Sequence, residues 1–268
     1  MLSGATRLVG IVGNPVTHSL SPRMQNAAFA AVGLDWAYVP LPVESAGVGE
    51  AVRGLAALGF AGANVTIPHK TAVLEHCDVV DDVARRAASV NTLVIEDGKV
   101  HGSSTDGLAV SAVVDGSGAD VLLVGAGGAA RAVACALVEA GAASVAVSAR
   151  RAEGAERLVA HLRTTFPSVE VRAVAWPPDP DTATLLVNAT PVKEEPVVTP
   201  QPRHDVVDLA YLADGRASAL VAAAHAAGCG RVVDGLEVLV RQGAASFERW
   251  TGIPAPIDVM RDAVAQAR

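Results

Sequence analysis

Gly125-Ala126-Gly127-Gly128-Ala129-Ala130 follows the apolar run Val121-Leu122-Leu123-Val124 and opens the helical pattern of residues 131–138. The order is strand, glycine turn, helix. Residues without side chains let the backbone approach a pyrophosphate, and the free N–H groups of the helix N-terminus carry partial positive charge toward it. The next apolar strand, ending at Ser148, is followed by Arg150 and Arg151. NAD-binding proteins usually place an acid there for the ribose hydroxyls. A pair of guanidinium groups suits the additional 2′-phosphate of NADP instead. The stretch therefore predicts a dinucleotide-binding α/β unit with NADP preferred to NAD.

Working outward, short apolar runs alternate with helical patterns along nearly the whole chain, the signature of parallel strands joined by crossover helices. Strands are expected at 8–12, 36–40, 62–66, 92–96, 120–124, 144–148, 169–173, 184–188, 205–209 and 231–233. Helices are expected at 22–32, 48–58, 79–86, 106–114, 129–140, 152–162, 218–226, 236–250 and 257–267. The helix starting near Asp106 is the natural switch between two domains. The expected organisation is a first domain at 1–105, a nucleotide domain at 106–236, and final helices at 237–268 returning to the first. A cleft between two such domains is the default place for a substrate.

The bulk properties narrow the class. The chain has 268 residues, of which 51% are hydrophobic and 18% charged, enough for a substantial core and unlike a disordered protein. A net charge of −7 offers nothing to nucleic acid or to an anionic membrane. Cys77, Cys135 and Cys229 are scattered without CxxC spacing, so neither disulfides nor a zinc site is expected. Residues 1–6 lack the charged and apolar regions of a signal peptide. The expectation is a cytoplasmic globular protein, a monomer or a homodimer. Arginine outnumbers lysine 18 to 3, so each lysine invites inspection.

Polar side chains gather where the strands of the first domain stop. The segment 13–22 runs from the first strand to the first helix and carries Ser19 and Ser21. Ser21 precedes Pro22 and reads equally as a helix N-cap. Lys70 follows Asn64 and Thr66 on a turn that Pro68 is expected to start as helix. A site that exchanges protons needs an amine, because guanidinium stays protonated. Asn91 and Asp106 place an amide and a carboxylate at further junctions, and Asp106 also reads as an N-cap.

These segments carry a resemblance. The sequence resembles the shikimate dehydrogenase family, which includes quinate dehydrogenases, through GNPVTHSLSP (13–22), NVTIPHK (64–70), SVNT (89–92), TDG (105–107), GAGGAA (125–130) and DGLEVLVRQGAASFERWTG (234–252). The resemblance implies an N-terminal α/β substrate domain and an NADP-binding Rossmann domain flanking a cleft. It implies reversible interconversion of shikimate and 3-dehydroshikimate in aromatic amino-acid (chorismate) biosynthesis. It assigns Lys70 and Asp106 to catalysis, with Ser19 and Ser21 on the substrate carboxylate. Thr66, Asn91 and Gln242 would contact ring hydroxyls, and Tyr211 would lie near the substrate. Gly125, Ala126, Gly127, Gly128, Ala129, Arg150 and Arg151 would hold the cofactor, with Leu209 and Gly235 bordering the nicotinamide. Asp106 is expected mainly to orient Lys70 and anchor a hydroxyl.

Several positions depart from the family pattern. Gln25 stands where a His is common, an expected change of packing only. Ser104 replaces an Asn before Thr105-Asp106, which is expected to loosen that loop. Ala149 removes a cofactor contact, and Gly154 lacks a basic group for which Arg151 is expected to compensate. Val192-Lys193 replaces a glycine-containing turn, and Leu212 stands where a polar residue is frequent. Two other readings stay open: a relative acting on quinate or an aminated shikimate, and a nucleotide-binding regulatory relative without turnover.

Overall fold

The computed structural model describes residues 2–266. In chain order the elements are β1 (Arg7–Gly13), α1 (Ser21–Ala31), β2 (Trp36–Pro42), α2 (Val48–Ala57), β3 (Gly62–Val65), β4 (Val79–Val80), α3 (Asp82–Ala87), β5 (Thr92–Glu96), β6 (Lys99–Ser103) and α4 (Asp106–Ser111). They continue as β7 (Asp120–Val124), α5 (Gly128–Glu139), β8 (Ser144–Ser148), α6 (Ala152–Thr165), β9 (Glu170–Val174), β10 (Leu185–Asn188), β11 (Asp205–Asp208), α7 (Ala219–Ala226), β12 (Val232–Val233), α8 (Gly235–Thr251) and α9 (Ile257–Ala265). Two compact units result: Met1–Thr105 with Val240–Arg268, and Asp106–Leu239.

The first unit is built on a six-stranded mixed sheet in the order β2-β1-β3-β5-β6-β4. β1 pairs in parallel with β2 and β3, whereas β5 runs antiparallel to β3 and β6. Val12, Val52, Leu55, Val65, Val73 and Leu93 form its core beneath α2. The final helices pack on this unit. Phe247 stacks on Phe29 at 5.3 Å, and the Trp250 indole donates to the Leu93 carbonyl at 2.8 Å. The buried Gln25 amide donates to the Gly243 carbonyl at 2.9 Å, so this departure is a packing contact between α1 and α8.

The second unit carries six parallel strands in the order β12-β11-β10-β7-β8-β9. This is a doubly wound sheet, and the strand order reverses between β7 and β10, where such folds place their ligands. Leu122, Val124, Leu186, Val206 and Leu220 fill one side of it. The buried strands read as continuous apolar runs because both faces are covered.

Three local expectations need correction. The helix expected at 79–86 is instead β4 followed by α3. The Asp81 carboxylate caps α3 by accepting the Ala84 N–H at 2.7 Å, and Val79-Val80 pairs with β6. The sequence reading missed β6 itself, although Asp97-Gly98 marks it. Both residues have positive φ, 50° and 75°, as a two-residue primed hairpin turn requires. Pro68 starts no helix: Thr66–His69 is a turn closed by the His69 N–H on the Thr66 carbonyl at 2.9 Å, and a short 3-10 segment follows at Ala72–His76.

Candidate active site

In the first unit the expected substrate residues lie beyond the C-terminal ends of β1 and β3, at the N-terminal end of the antiparallel β5, and on α8. The Asn14 N–H donates to the Ile67 carbonyl at 3.0 Å, joining the loop after β1 to the turn after β3. A Cβ at Gly13 would sit 2.3 Å from the Thr66 methyl, so only glycine lets these two segments meet. Ser21 is no N-cap. Leu20 occupies that position, and Ser21 opens α1, buried, with its N–H donating to Ser19 Oγ at 3.2 Å. The half-buried Ser19 and the buried Ser21 are thus held as a pair.

Asn91 is 1% exposed and sits at the centre of a polar network. Its Nδ2 donates to Thr105 Oγ1 at 2.9 Å and, at 3.4 Å, to Gln242 Oε1, while its Oδ1 accepts the Thr105 N–H at 2.8 Å. The network continues through Ser246, whose Oγ accepts from Asn64 Nδ2 at 2.9 Å, lies 2.8 Å from Thr92 Oγ1 and donates to the Gln242 carbonyl at 3.0 Å. Tyr38 donates to Asn64 Oδ1 at 2.9 Å and closes it. Lys70 is half-buried, and its carbonyl accepts the Val90 N–H at 2.8 Å, which fixes its backbone one residue from Asn91. Thr105 is held through Asn91 by both backbone and side chain. The Ser104 hydroxyl is buried without a hydrogen-bond partner and adds nothing to that anchorage.

In the second unit Asp106 opens α4 and is 6% exposed. A Cβ at the adjacent Gly107 would lie 2.6 Å from the Ala132 carbonyl, so glycine lets α4 rest directly on α5. The glycine turn ends β7. Gly125 has φ +121°, and a Cβ there would be 3.0 Å from the Ala189 carbonyl carbon and oxygen. Gly127 is the N-cap of α5, with no side chain capping the helix, and a Cβ there would meet open space. The glycine thus keeps the helix N-terminus, with Gly128 and Ala129 in its first turn, open to an anion. Arg150 and Arg151 follow β8, both exposed. Uncapped N–H groups, a glycine facing space and two guanidiniums fit a dinucleotide bearing a 2′-phosphate. At the end of β11, Leu209 donates its N–H to the Asn188 carbonyl at 2.9 Å, and a Cβ at Gly235 would stand 2.3 Å from the Ala210 carbonyl. The half-buried Tyr211 follows, its carbonyl 3.5 Å from Lys193 Nζ.

Comparison with known proteins resolves the family. The sequence profile of the shikimate dehydrogenase substrate binding domain matches residues 11–93, and that of the shikimate 5'-dehydrogenase C-terminal domain matches 235–265. The NADP(+) shikimate dehydrogenase of Anaeromyxobacter sp. is 45% identical, covering 99% of this chain and 98% of its own. The chain belongs to the shikimate dehydrogenase family. The Methanopyrus kandleri NADP(+) shikimate dehydrogenase is 41% identical over 97% of this chain and 96% of its own. Among solved structures, a shikimate dehydrogenase in complex with NADP+ superposes with a TM-score of 0.90 at 33% identity, covering 99% of this chain and 97% of that one. A ligand-free 5-ketofructose reductase of Gluconobacter sp. gives 0.86 at 31% identity, covering 98% and 99%.

Sequence reasoning missed the residues that hold the site rather than line it. Asn64, Thr92 and Ser246 are one buried cluster assembled from distant segments. Asp208, fully buried at the end of β11, accepts from Asn188 Nδ2 and the Ala210 N–H, each at 2.8 Å, and from the Ser218 hydroxyl. Asn188 in turn accepts the Thr190 N–H and hydroxyl at 2.9 and 2.7 Å. Burial, chiefly, pushes the Asp208 carboxyl up to about 6. The one visible signal was an acid closing the otherwise apolar run Val206-Val207.

Proposed function

We propose that the chain catalyses the reversible, NADP-dependent interconversion of shikimate and 3-dehydroshikimate. The observation that carries this reading is the pairing of the buried Asn91 amide with the half-buried Gln242 amide, beside the backbone-anchored Lys70. A carboxamide donates to one hydroxyl oxygen and accepts from its neighbour, so two of them read adjacent ring hydroxyls. Thr66 contacts a ring hydroxyl from the turn, and Ser19 and Ser21 hold the substrate carboxylate. Tyr211 lies near the substrate. Gly125 to Ala129 receive the pyrophosphate, Arg150 and Arg151 the 2′-phosphate, and Leu209 and Gly235 border the nicotinamide.

Held by Gly125 to Ala129 and the two arginines, oxidised NADP would supply the acceptor for the hydride of the carbinol carbon. The Lys70 amine accepts the proton of that hydroxyl as carbonyl character develops, and returns it to the carbonyl oxygen in the reverse direction. Asp106 orients Lys70 and anchors a second hydroxyl. Removing the amine in Lys70→Ala is expected to lower kcat by about 10²–10⁴-fold. Shikimate affinity by calorimetry should stay within several-fold. Turnover at the parent level, followed by reduced-nicotinamide absorbance, overturns the assignment.

The likeness to a 5-ketofructose reductase favours one other reading, reduction of a polyhydroxylated ketone without a carboxylate. The serine pair supports the acid, because two hydroxyls held together suit a carboxylate's two oxygens. Side-by-side assays with 3-dehydroshikimate and 5-ketofructose decide between them.

A further inference from the structure

Lys193, in a chain poor in lysine, stands with Val192 where the family pattern has a glycine-containing turn. Its backbone is fixed. The Val192 carbonyl accepts from Asn188 Nδ2 at 3.2 Å, the Val192 N–H donates to Thr190 Oγ1 at 3.2 Å, and the Lys193 carbonyl accepts the Ala219 N–H at 2.9 Å. The side chain is half-buried and reaches from the loop after β10 to the loop after β11, where Nζ donates to the Tyr211 carbonyl at 3.5 Å. Among the described residues that carbonyl is its one side-chain partner, and Lys193 enters no ion pair. Glu194 and Glu195, next in the chain, are both exposed. An ammonium with three donors and one long bond keeps its charge largely uncompensated.

The sheet order says what that charge faces. In a doubly wound sheet a dinucleotide crosses the point where the strand order reverses, with one mononucleotide on each side. On one side lie β7, β8 and β9, with the glycine turn and Arg150 and Arg151, which take the pyrophosphate and the 2′-phosphate in the proposed function. On the other lie β10, β11 and β12. The loop after β10 is the first element across the divide, since a Cβ at Gly125 would come within 3.0 Å of Ala189. The nicotinamide half therefore belongs over the ends of β10 and β11, whose loops Lys193 joins. Two residues span at most about 7 Å, so the ammonium stands within about 11 Å of the Leu209 carbonyl.

We infer that Lys193 tilts the nucleotide site toward the reduced cofactor, raising its preference for NADPH over NADP+. The inference rests on the NADP part of the proposed function but not on its substrate. The two forms differ by one hydride: the oxidised ring carries a positive charge and the reduced ring is neutral. A fixed cation nearby repels the first and leaves the second alone. Contacts to the phosphates, the riboses and the carboxamide are common to both forms and cancel in the ratio of their dissociation constants. At about 10 Å, with an effective dielectric between about 20 and 80, the repulsion changes that ratio by about twofold to fifteenfold. The lysine thereby favours the form of the cofactor that reduces a ketone.

The test reads binding, not turnover. Calorimetric titration of the full chain with NADP+ and with NADPH gives the ratio of the two dissociation constants. Lys193→Met removes the charge and keeps an unbranched side chain. It should strengthen NADP+ relative to NADPH by about threefold or more in about 0.01 M salt, where screening is weak. Lys193→Glu should move the ratio about as far again, and Lys193→Arg, which keeps the charge, should leave it within about twofold of the parent. The difference between the parent and Lys193→Met should shrink as salt is added. Equal loss of both forms in Lys193→Met marks a purely structural lysine and overturns the inference, as does an unchanged ratio; both outcomes leave NADP binding intact. A parent protein that binds neither form overturns the NADP reading and the inference together. A shifted ratio in a protein that does not reduce 3-dehydroshikimate supports the inference and removes only the substrate.

Discussion

Replacing Asp208 by Asn should change how stability depends on pH, by an amount that the structure sets. The carboxyl is fully buried, and burial lifts it from 3.8 to about 6, with Asp234 adding repulsion and three hydrogen bonds opposing the shift. Its folded value lies above its unfolded one, so between about pH 4 and 6 the native state holds a proton that the unfolded state has lost. The stabilisation is complete below the unfolded value and disappears as pH rises through about 6. Roughly two units correspond to about 3 kcal/mol. In Asp208→Asn the remaining oxygen still accepts from Asn188 and Ala210. The new amide faces Ser218, whose hydroxyl must turn to accept; that cost does not vary with pH. Urea unfolding of both proteins at steps from pH 4 to 7.5 gives the difference in stability, in which titrating groups not coupled to Asp208 cancel. The difference should move by about 2 kcal/mol in favour of the variant between pH 4 and 7, the rest of the shift lying outside that window. Parallel pH profiles for the two proteins refute the reasoning.

Three further perturbations probe the rest. Gly125→Ala forces a side chain to φ +121° and within 3.0 Å of Ala189, at a cost of about 1–3 kcal/mol. Thermal melts should show the loss, and KM for NADP should rise more than KM for shikimate; an unaltered melt contradicts the close approach. Ser246→Ala removes the hub among Asn64, Thr92 and Gln242 and should cost about 1–3 kcal/mol. It should raise KM for shikimate several-fold with KM for NADP unmoved, and the opposite split removes the network from the substrate side. Ser21→Ala should weaken shikimate by about tenfold, as for one hydrogen bond to a charged group, and leave a carboxylate-free ketone unaffected. Equal losses for both substrates contradict the carboxylate role.

The architecture was legible where each residue's own neighbours decide its conformation. Parallel strands covered on both faces read as apolar runs, and glycines that permit close approach, such as Gly125, mark their turns. The short β4 was not legible, because two β-branched residues beside Asp81 resemble the start of a helix. Only the pairing with β6 holds them extended. The Asp97-Gly98 turn was legible and overlooked, which also cost β6.

The site divides along the same line. Groups that would touch ligand, such as Lys70, Asn91 and Gln242, stand at strand ends and on one helix face, where residue type already suggests chemistry. The groups that aim them are joined across the chain: Asn64 meets Ser246, 182 positions away, and Asp208 meets Asn188, 20 away. No local pattern encodes such pairs, since a buried Asn or Ser looks in sequence like any turn or cap residue. Their burial explains their presence. An amide that must present fixed donor and acceptor atoms to a hydroxyl needs its own second atom satisfied in one orientation. Asn91 achieves this by committing Oδ1 to the Thr105 backbone. Asn188 does the same in the second unit by committing Nδ2 to a buried carboxylate. In both units, then, a polar group invisible in the sequence turns a flexible side chain into a fixed one, and the cost of burying it is the source of the pH dependence predicted for Asp208.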